Sequence, residues 1–223
     1  PSAVSVSPGT TAVAPNSITT LIASGGTIAS NQNVSNYAFS ASTGTYNTIA
    51  GTTVSPSTTD DDGAGNLPIG FTFPYNGGTQ TVFGISTNGL LLLGNTSTAI
   101  SGLSSNDIAT NANVIAPLWD DNNIVGGSIS YLTTGTTPNR VLTVQWTNLH
   151  IGGSGSTTYP TISMQVKLFE NGDIQFVYGS TSASLSSSTV SIGISGASGN
   201  YLSVSPAATI SNSSVSNLAE NTS

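Results

Sequence analysis

Two short runs hold most of the groups in this chain that could do chemistry. They are Asp60-Asp61-Asp62-Gly63 and Asp120-Asp121-Asn122-Asn123. Both are rich in carboxylate and amide oxygen, the donor type that calcium takes six to eight of. Two readings are open: calcium at either loop, held by Asp60, Asp61 and Asp62 or by Asp120 and Asp121, or no cofactor and a pair of solvated acidic loops. The spacing Asp-x-Asp-x-Asp-Gly with a distal Glu is missing, so the pattern is not an EF-hand. Other chemistries are poorly supplied. A hydrolase triad needs a base oriented by a carboxylate beside the nucleophile. His150 is the single histidine, and a surface or loop role is its expected one. One His without any Cys also disfavours a transition-metal site. Glu170 and Asp173 are close in sequence, but Glu170-Asn171-Gly172-Asp173 reads as a tight turn, where Asp and Gly serve the backbone. With so few titratable groups, acid–base catalysis is not expected, and the chain reads as a non-enzyme.

Binding is the other chemistry on offer. Trp119, Trp146, Tyr131 and Tyr159 are the aromatics that could stack on a sugar, although both tryptophans lie in apolar alternation that suits a core. Asn33, Asn95, Asn212 and Asn221 stand in Asn-x-Ser/Thr sequons, which are glycosylation acceptors only where the source organism modifies them.

The elements that must carry these residues are strands. The densest apolar block runs over residues 67–94, with turn signals at Asn76-Gly77 and Asn88-Gly89. Asn-Gly between strand-like runs predicts a type I′ hairpin, which needs positive φ at both central residues. Residues 161–169 alternate, with Ile162, Met164, Val166 and Leu168 on one side and Ser163, Gln165 and Lys167 on the other. After the turn at Asn171-Gly172, Ile174, Phe176 and Tyr178 repeat the period of two, the signature of a hairpin. No segment keeps a 3.6-residue period. Ten to fourteen short strands punctuated by turns predict an all-β antiparallel β-sandwich, of the jelly-roll or immunoglobulin-like class, with extended terminal strands. The expected organisation is an N-terminal β-prone arm or edge strands over residues 1–35, the sandwich over 36–206, and a polar tail or linker over 207–223.

Composition narrows the setting. Charged residues are 5% of the 223, against about 25% in typical soluble domains. The net charge is −7, with Lys167 and Arg140 the only Lys and Arg. Two cations cannot neutralise a phosphate backbone or an anionic bilayer, so nucleic acid is excluded as a partner and membrane attachment by charge is not expected. No apolar run is long enough to span a membrane as a helix. Hydroxyl and amide surfaces without charge suit a secreted or cell-surface protein that packs against copies of itself. The start at Pro1-Ser2-Ala3 fits a processed mature form.

The order of several motifs resembles a family. Ile69-Gly70-Phe71-Thr72-Phe73-Pro74-Tyr75-Asn76-Gly77 is followed by Ser86-Thr87-Asn88-Gly89 and then Ile115-Ala116-Pro117-Leu118-Trp119-Asp120-Asp121. Val144-Gln145-Trp146, Met164-Gln165-Val166-Lys167-Leu168-Phe169 and Asn171-Gly172-Asp173-Ile174 come after. Over residues 37–204 this resembles nidogen-like (NIDO-like) extracellular β-sandwich domains, and in particular resembles the modules at the front of large secreted and surface proteins of Bacteroidota. The resemblance implies an extracellular fold used in adhesion or surface architecture, and it implies no catalytic residues.

Two functions are therefore expected. One is a self-assembling subunit of a bacterial extracellular filament or surface layer, a homopolymer joined by strand addition through Val4, Val6, Val13, Ile18, Leu21 and Ile22. The other is a lectin-like or adhesin module that reads surface glycans, with calcium assisting.

Overall fold

The alternation in residues 161–178 becomes the middle of a sheet. In a computed structural model of the chain, β11 (Thr161–Phe169) and β12 (Ile174–Thr181) pair antiparallel, with Val166 facing Phe176 and Leu168 facing Ile174. The structure describes residues 18–24, 34, 37–152, 159–182, 190–197, 199–204, 209–211 and 214–216. The remaining strands are β1 (Ile18–Ser24), β2 (Ala38–Gly44), β3 (Thr52–Val54), β4 (Asp62–Tyr75), β5 (Gly78–Ser86), β6 (Leu90–Leu93) and β7 (Ala99–Ser101). After them come β8 (Val114–Trp119), β9 (Ser128–Thr134), β10 (Val141–His150), β13 (Ser191–Ser195), β14 (Tyr201–Val204), β15 (Thr209–Ser211) and β16 (Ser214–Ser216).

They form two seven-stranded antiparallel sheets. One has the order β2-β1-β12-β11-β10-β9-β3, the other β14-β13-β8-β6-β5-β4-β7, and β15 and β16 pair as a separate ribbon. The all-β, two-sheet expectation is met in this sandwich arrangement. Phe73, Phe83, Ile85, Leu91 and Ile115 from the second sheet pack with Leu142, Val144, Trp146, Met164, Val166 and Phe176 from the first. Hydrogen bonds also cross between the sheets. Trp146 Nε1 donates to Ser86 O at 3.0 Å, and Tyr178 Oη donates to Pro117 O at 2.6 Å. A buried indole or phenol needs such a partner, and here the partner is the opposite sheet's backbone.

Both outer faces are covered in part. Trp119 is fully buried, as expected of a core residue, but in a second cluster with Leu90, Ile108, Val114 and Ala116, where Leu103 of the 102–113 loop also packs. On the other sheet, Gln145 and Gln165 point away from the inter-sheet core as their alternation predicts, yet both are buried. The segment 45–50 lies over them. Gln145 Oε1 accepts from Ile49 N and from Gln165 Nε2, and Gln165 Nε2 also donates to Asn47 O at 2.7 Å.

The two Asn-Gly turns differ. Asn76 and Gly77 both have left-handed φ, 49° and 75°, and Tyr75 faces Gly78, so this is the two-residue type I′ hairpin. At Asn88-Gly89 the expected type I′ turn is not formed. Ser86 faces Leu90 across a three-residue loop, Gly89 N donates to Ser86 O, and Gly89 takes φ 82° while Asn88 does not enter the left-handed region. The Asn88 side chain is committed to the Asp61 and Gly102 loops instead.

β1 occupies an inner position of its sheet. Thr20 faces Val177 of β12, and Ile22 faces Gln175, while the other side of β1 pairs with β2 along its whole length.

Candidate functional site: an acidic cluster at one end of the sandwich

Topology brings the two acidic runs together. The first immediately precedes and opens β4, and the second follows β8. Asp60 and Asn123 form a bridge, and Asn123 in turn bridges His150 at the end of β10, with His150 N donating to Asn123 O at 2.9 Å. As a result Asp60, Asp61 and Asp121 each offer a carboxylate oxygen, all within 4.8 Å of one another. Such a cluster could coordinate a cation.

The other two expected ligands are turned to different work. Asp62 Oδ2 accepts from Thr58 N at 2.7 Å and Oδ1 from Gly63 N, so Asp62 shapes the turn into β4. Asp120 is buried, and its Oδ1 accepts from Asp121 N.

Carboxylates crowded in this way repel one another and lose water. Burial, then the Asp61 charge, raises the Asp60 carboxyl above its ordinary range. Burial, then Asp61, Asp60 and Asp120, raises Asp121. The neighbours that fix the geometry are amides: Asn122, inside the second oxygen-rich run, and Asn88, which the sequence marks only as a turn residue. Asn88 is fully buried, and its Nδ2 donates to Asp61 Oδ1 at 2.9 Å and to Gly102 O at 3.1 Å. Asn122 Nδ2 donates to Asn88 O and Leu118 O, and its Oδ1 accepts from Gly152 N. Asp61 has φ 50°, a left-handed conformation in which Asp and Asn are enriched. The signal that could have found Asn88 is its place in a hairpin turn between two apolar strands, where a polar side chain must spend its hydrogen bonds on a neighbouring loop.

The aromatic candidates separate by burial. Trp119 and Trp146 are fully buried. Tyr131 is half-buried, its ring edge-to-face with Phe83 at 5.5 Å. Tyr159 is 45% exposed and belongs to the acidic end, since its carbonyl oxygen lies 3.2 Å from His150 Nδ1. His150 itself is buried there as a strand-end residue. Tyr201 on β14 is the other large exposed ring, and nothing in the sequence singles it out. Of the sequon residues, Asn95 is described: its Oδ1 is buried and its side chain fills the space beside Gly65 and Gly84. Asn33, Asn212 and Asn221 lie outside the described residues, as do Val4, Val6 and Val13. Ile18, Leu21 and Ile22 all fall in β1.

Two antiparallel sheets packed on each other, with a cluster of carboxylate oxygens at one end, define an all-β sandwich-like domain. A family model described as NIDO related matches residues 36–223, and the chain belongs to that family. Domains of this type are typically extracellular and non-catalytic. Neither curated proteins nor solved structures give a match.

Proposed function

We propose that this chain is an extracellular adhesion module that binds surface glycans at the end of the sandwich carrying Asp60, Asp61 and Asp121, with calcium assisting. The observation that carries this reading is the exposed Tyr159, whose main-chain carbonyl is tied through His150 and Asn123 to the acidic loops. An aromatic face beside hydroxyl- and amide-rich loops is the chemistry that holds a neutral sugar, by stacking and by hydrogen bonds. The family match supports a secreted or cell-surface setting, and the motif order over residues 37–204 supports a bacterial one. A glycan array, run with calcium and again with chelator, tests the reading. Binding that falls at least tenfold in Tyr159→Ala is the expected result, and no binding under either condition rejects the reading.

A second reading is favoured by the position of β1. A strand held between β12 and β2 by main-chain bonds is one that another copy's N-terminal segment could supply, and this would build a filament or surface layer by strand addition. Residues 18, 21 and 22 are then the inter-subunit positions that fall in the exchanged strand. Deleting residues 1–24 should leave a soluble subunit that forms no polymer. Electron microscopy showing filaments from the truncated chain, or none from the full chain, removes this reading.

A further inference from the structure

The acidic end holds more than clustered carboxylates. Among the described residues seven buried side-chain polar atoms lack a hydrogen-bond partner, and three of them are here: Asp60 Oδ1, Asp121 Oδ1 and Asn88 Oδ1. Asn88 is the telling one. Its side chain is 0% exposed and reaches the cluster from inside the sandwich, since its Nδ2 rests on Asp61 Oδ1 at 2.9 Å. With Nδ2 committed to two oxygen acceptors, its orientation is settled, and covalent geometry holds the free amide oxygen close beside the Asp61 contact. A buried amide oxygen with no donor costs free energy, and buried carboxylate oxygens with none cost more. No side-chain amine or guanidinium relieves them. Arg140 stands just before the far end of β10, with its guanidinium on Glu170, and Lys167 of β11 faces Thr143 near that same end. Ten residues of strand separate that end from His150, roughly 30 Å, well beyond the screening length in physiological salt.

The geometry points to a calcium site formed by Asp60, Asp61 and Asp121, with the amide oxygen of Asn88 as its neutral inner ligand, which clamps the 58–62 and 120–124 segments to the β5–β6 turn. A calcium shell with oxygens 2.3–2.6 Å from the ion spans about 5 Å, which accommodates donor atoms no more than 4.8 Å apart. Hard oxygen donors without His or Cys suit calcium, and a mixed set of backbone-anchored loops suits its flexible coordination better than the strict octahedron of magnesium. Remaining coordination positions face outward, because Asp61 is exposed. This inference deepens the proposed function by naming the ligand set and the clamp. It does not depend on any glycan.

Calcium titration of the full chain, by calorimetry and by thermal unfolding, tests it. One saturable calcium per chain is expected, with a Tm that rises with free calcium, because the ion binds the folded state alone. Asp61→Asn and Asp121→Asn should each lower calcium affinity at least tenfold. Asn suits the left-handed backbone at position 61, and removing a charge relieves repulsion, so the Tm of both variants in chelator should equal or exceed that of the unaltered chain. Asn88→Ala should lower affinity as well. No Tm shift up to about 10 mM calcium, above the weak end of extracellular sites, overturns the proposal. So do variants that bind calcium as the unaltered chain does, and so does an equal shift with magnesium. Calcium binding without any array signal would overturn the glycan reading and leave this one standing.

Discussion

At the scale of single residues, two groups of carboxylates pull the stability of this protein in opposite directions with pH. Asp60 and Asp121 are raised by burial and then by neighbouring carboxylates, Asp61 first in both cases, so the folded chain holds their protons at pH values where the unfolded chain has released them. Their effect is therefore absent at low pH, and stability is lost as pH rises from the ordinary carboxylate range to their raised values. Glu170 behaves in the reverse sense. Hydrogen bonds from Arg140, with Nη2 and Nε at 2.5 and 2.9 Å, bring it down from 4.5 to about 2. That contribution is present above its ordinary value and is lost as pH falls toward about 2. The expected Tm profile in chelator is a maximum at mildly acid pH. Glu170→Gln should flatten the acid limb, and Asp121→Asn the limb toward neutral pH. Saturating calcium should remove the latter limb, and a profile unchanged by calcium would contradict it. Gly89 gives a prediction of another kind. It takes φ 82°, and a Cβ there would lie 2.2 Å from Leu118 O. Gly89→Ala should cost about 2 kcal/mol or more, read from chemical denaturation, and should loosen the Asn88 contact to Asp61.

At the scale of elements, the sheets are joined by side chains that reach the opposite backbone. Tyr178→Phe leaves Pro117 O without its donor at a site 3% exposed, and should cost about 1–3 kcal/mol. Trp146→Phe should cost a similar amount through Ser86 O, plus the volume it empties. The edges are mostly short: β3 and β7 have three residues and β14 has four, which limits pairing with other chains. The seven-residue β2 is the long edge, and β1 behind it is the strand whose removal would bare β12. If strand addition operates, it operates here, and mixing full-length chains with chains lacking residues 1–24 should give capped, shortened assemblies under electron microscopy.

At the scale of the molecule, charge is divided along the strands. Five of the nine acidic residues gather in the 60–62 and 120–121 loops, and both cations lie toward the other end of β10 and β11. Much of the rest was legible in the residues themselves. Period-two alternation in 140–146 and 161–178 fixes which side chains can share a face, because successive strand residues point to opposite sides, and it foretold Trp146 in the core, the hairpin and the all-β class. The two acidic runs were visible as oxygen-rich loops for the same local reason. Their union was not, since Asp60 and Asp121 are 61 residues apart in sequence and meet only because β4 begins and β8 ends at the same end of the sandwich. Nor was the burial of Gln145 and Gln165, which alternation assigns to solvent and the 45–50 segment covers, or the turn at Asn88-Gly89. There the local preference for type I′ is overridden by Asn88's bonds to Asp61 and Gly102. Local pattern is set by backbone geometry within a few residues. Which polar groups lose water, and which charges must share a space, depends on partners that only the closed fold brings near.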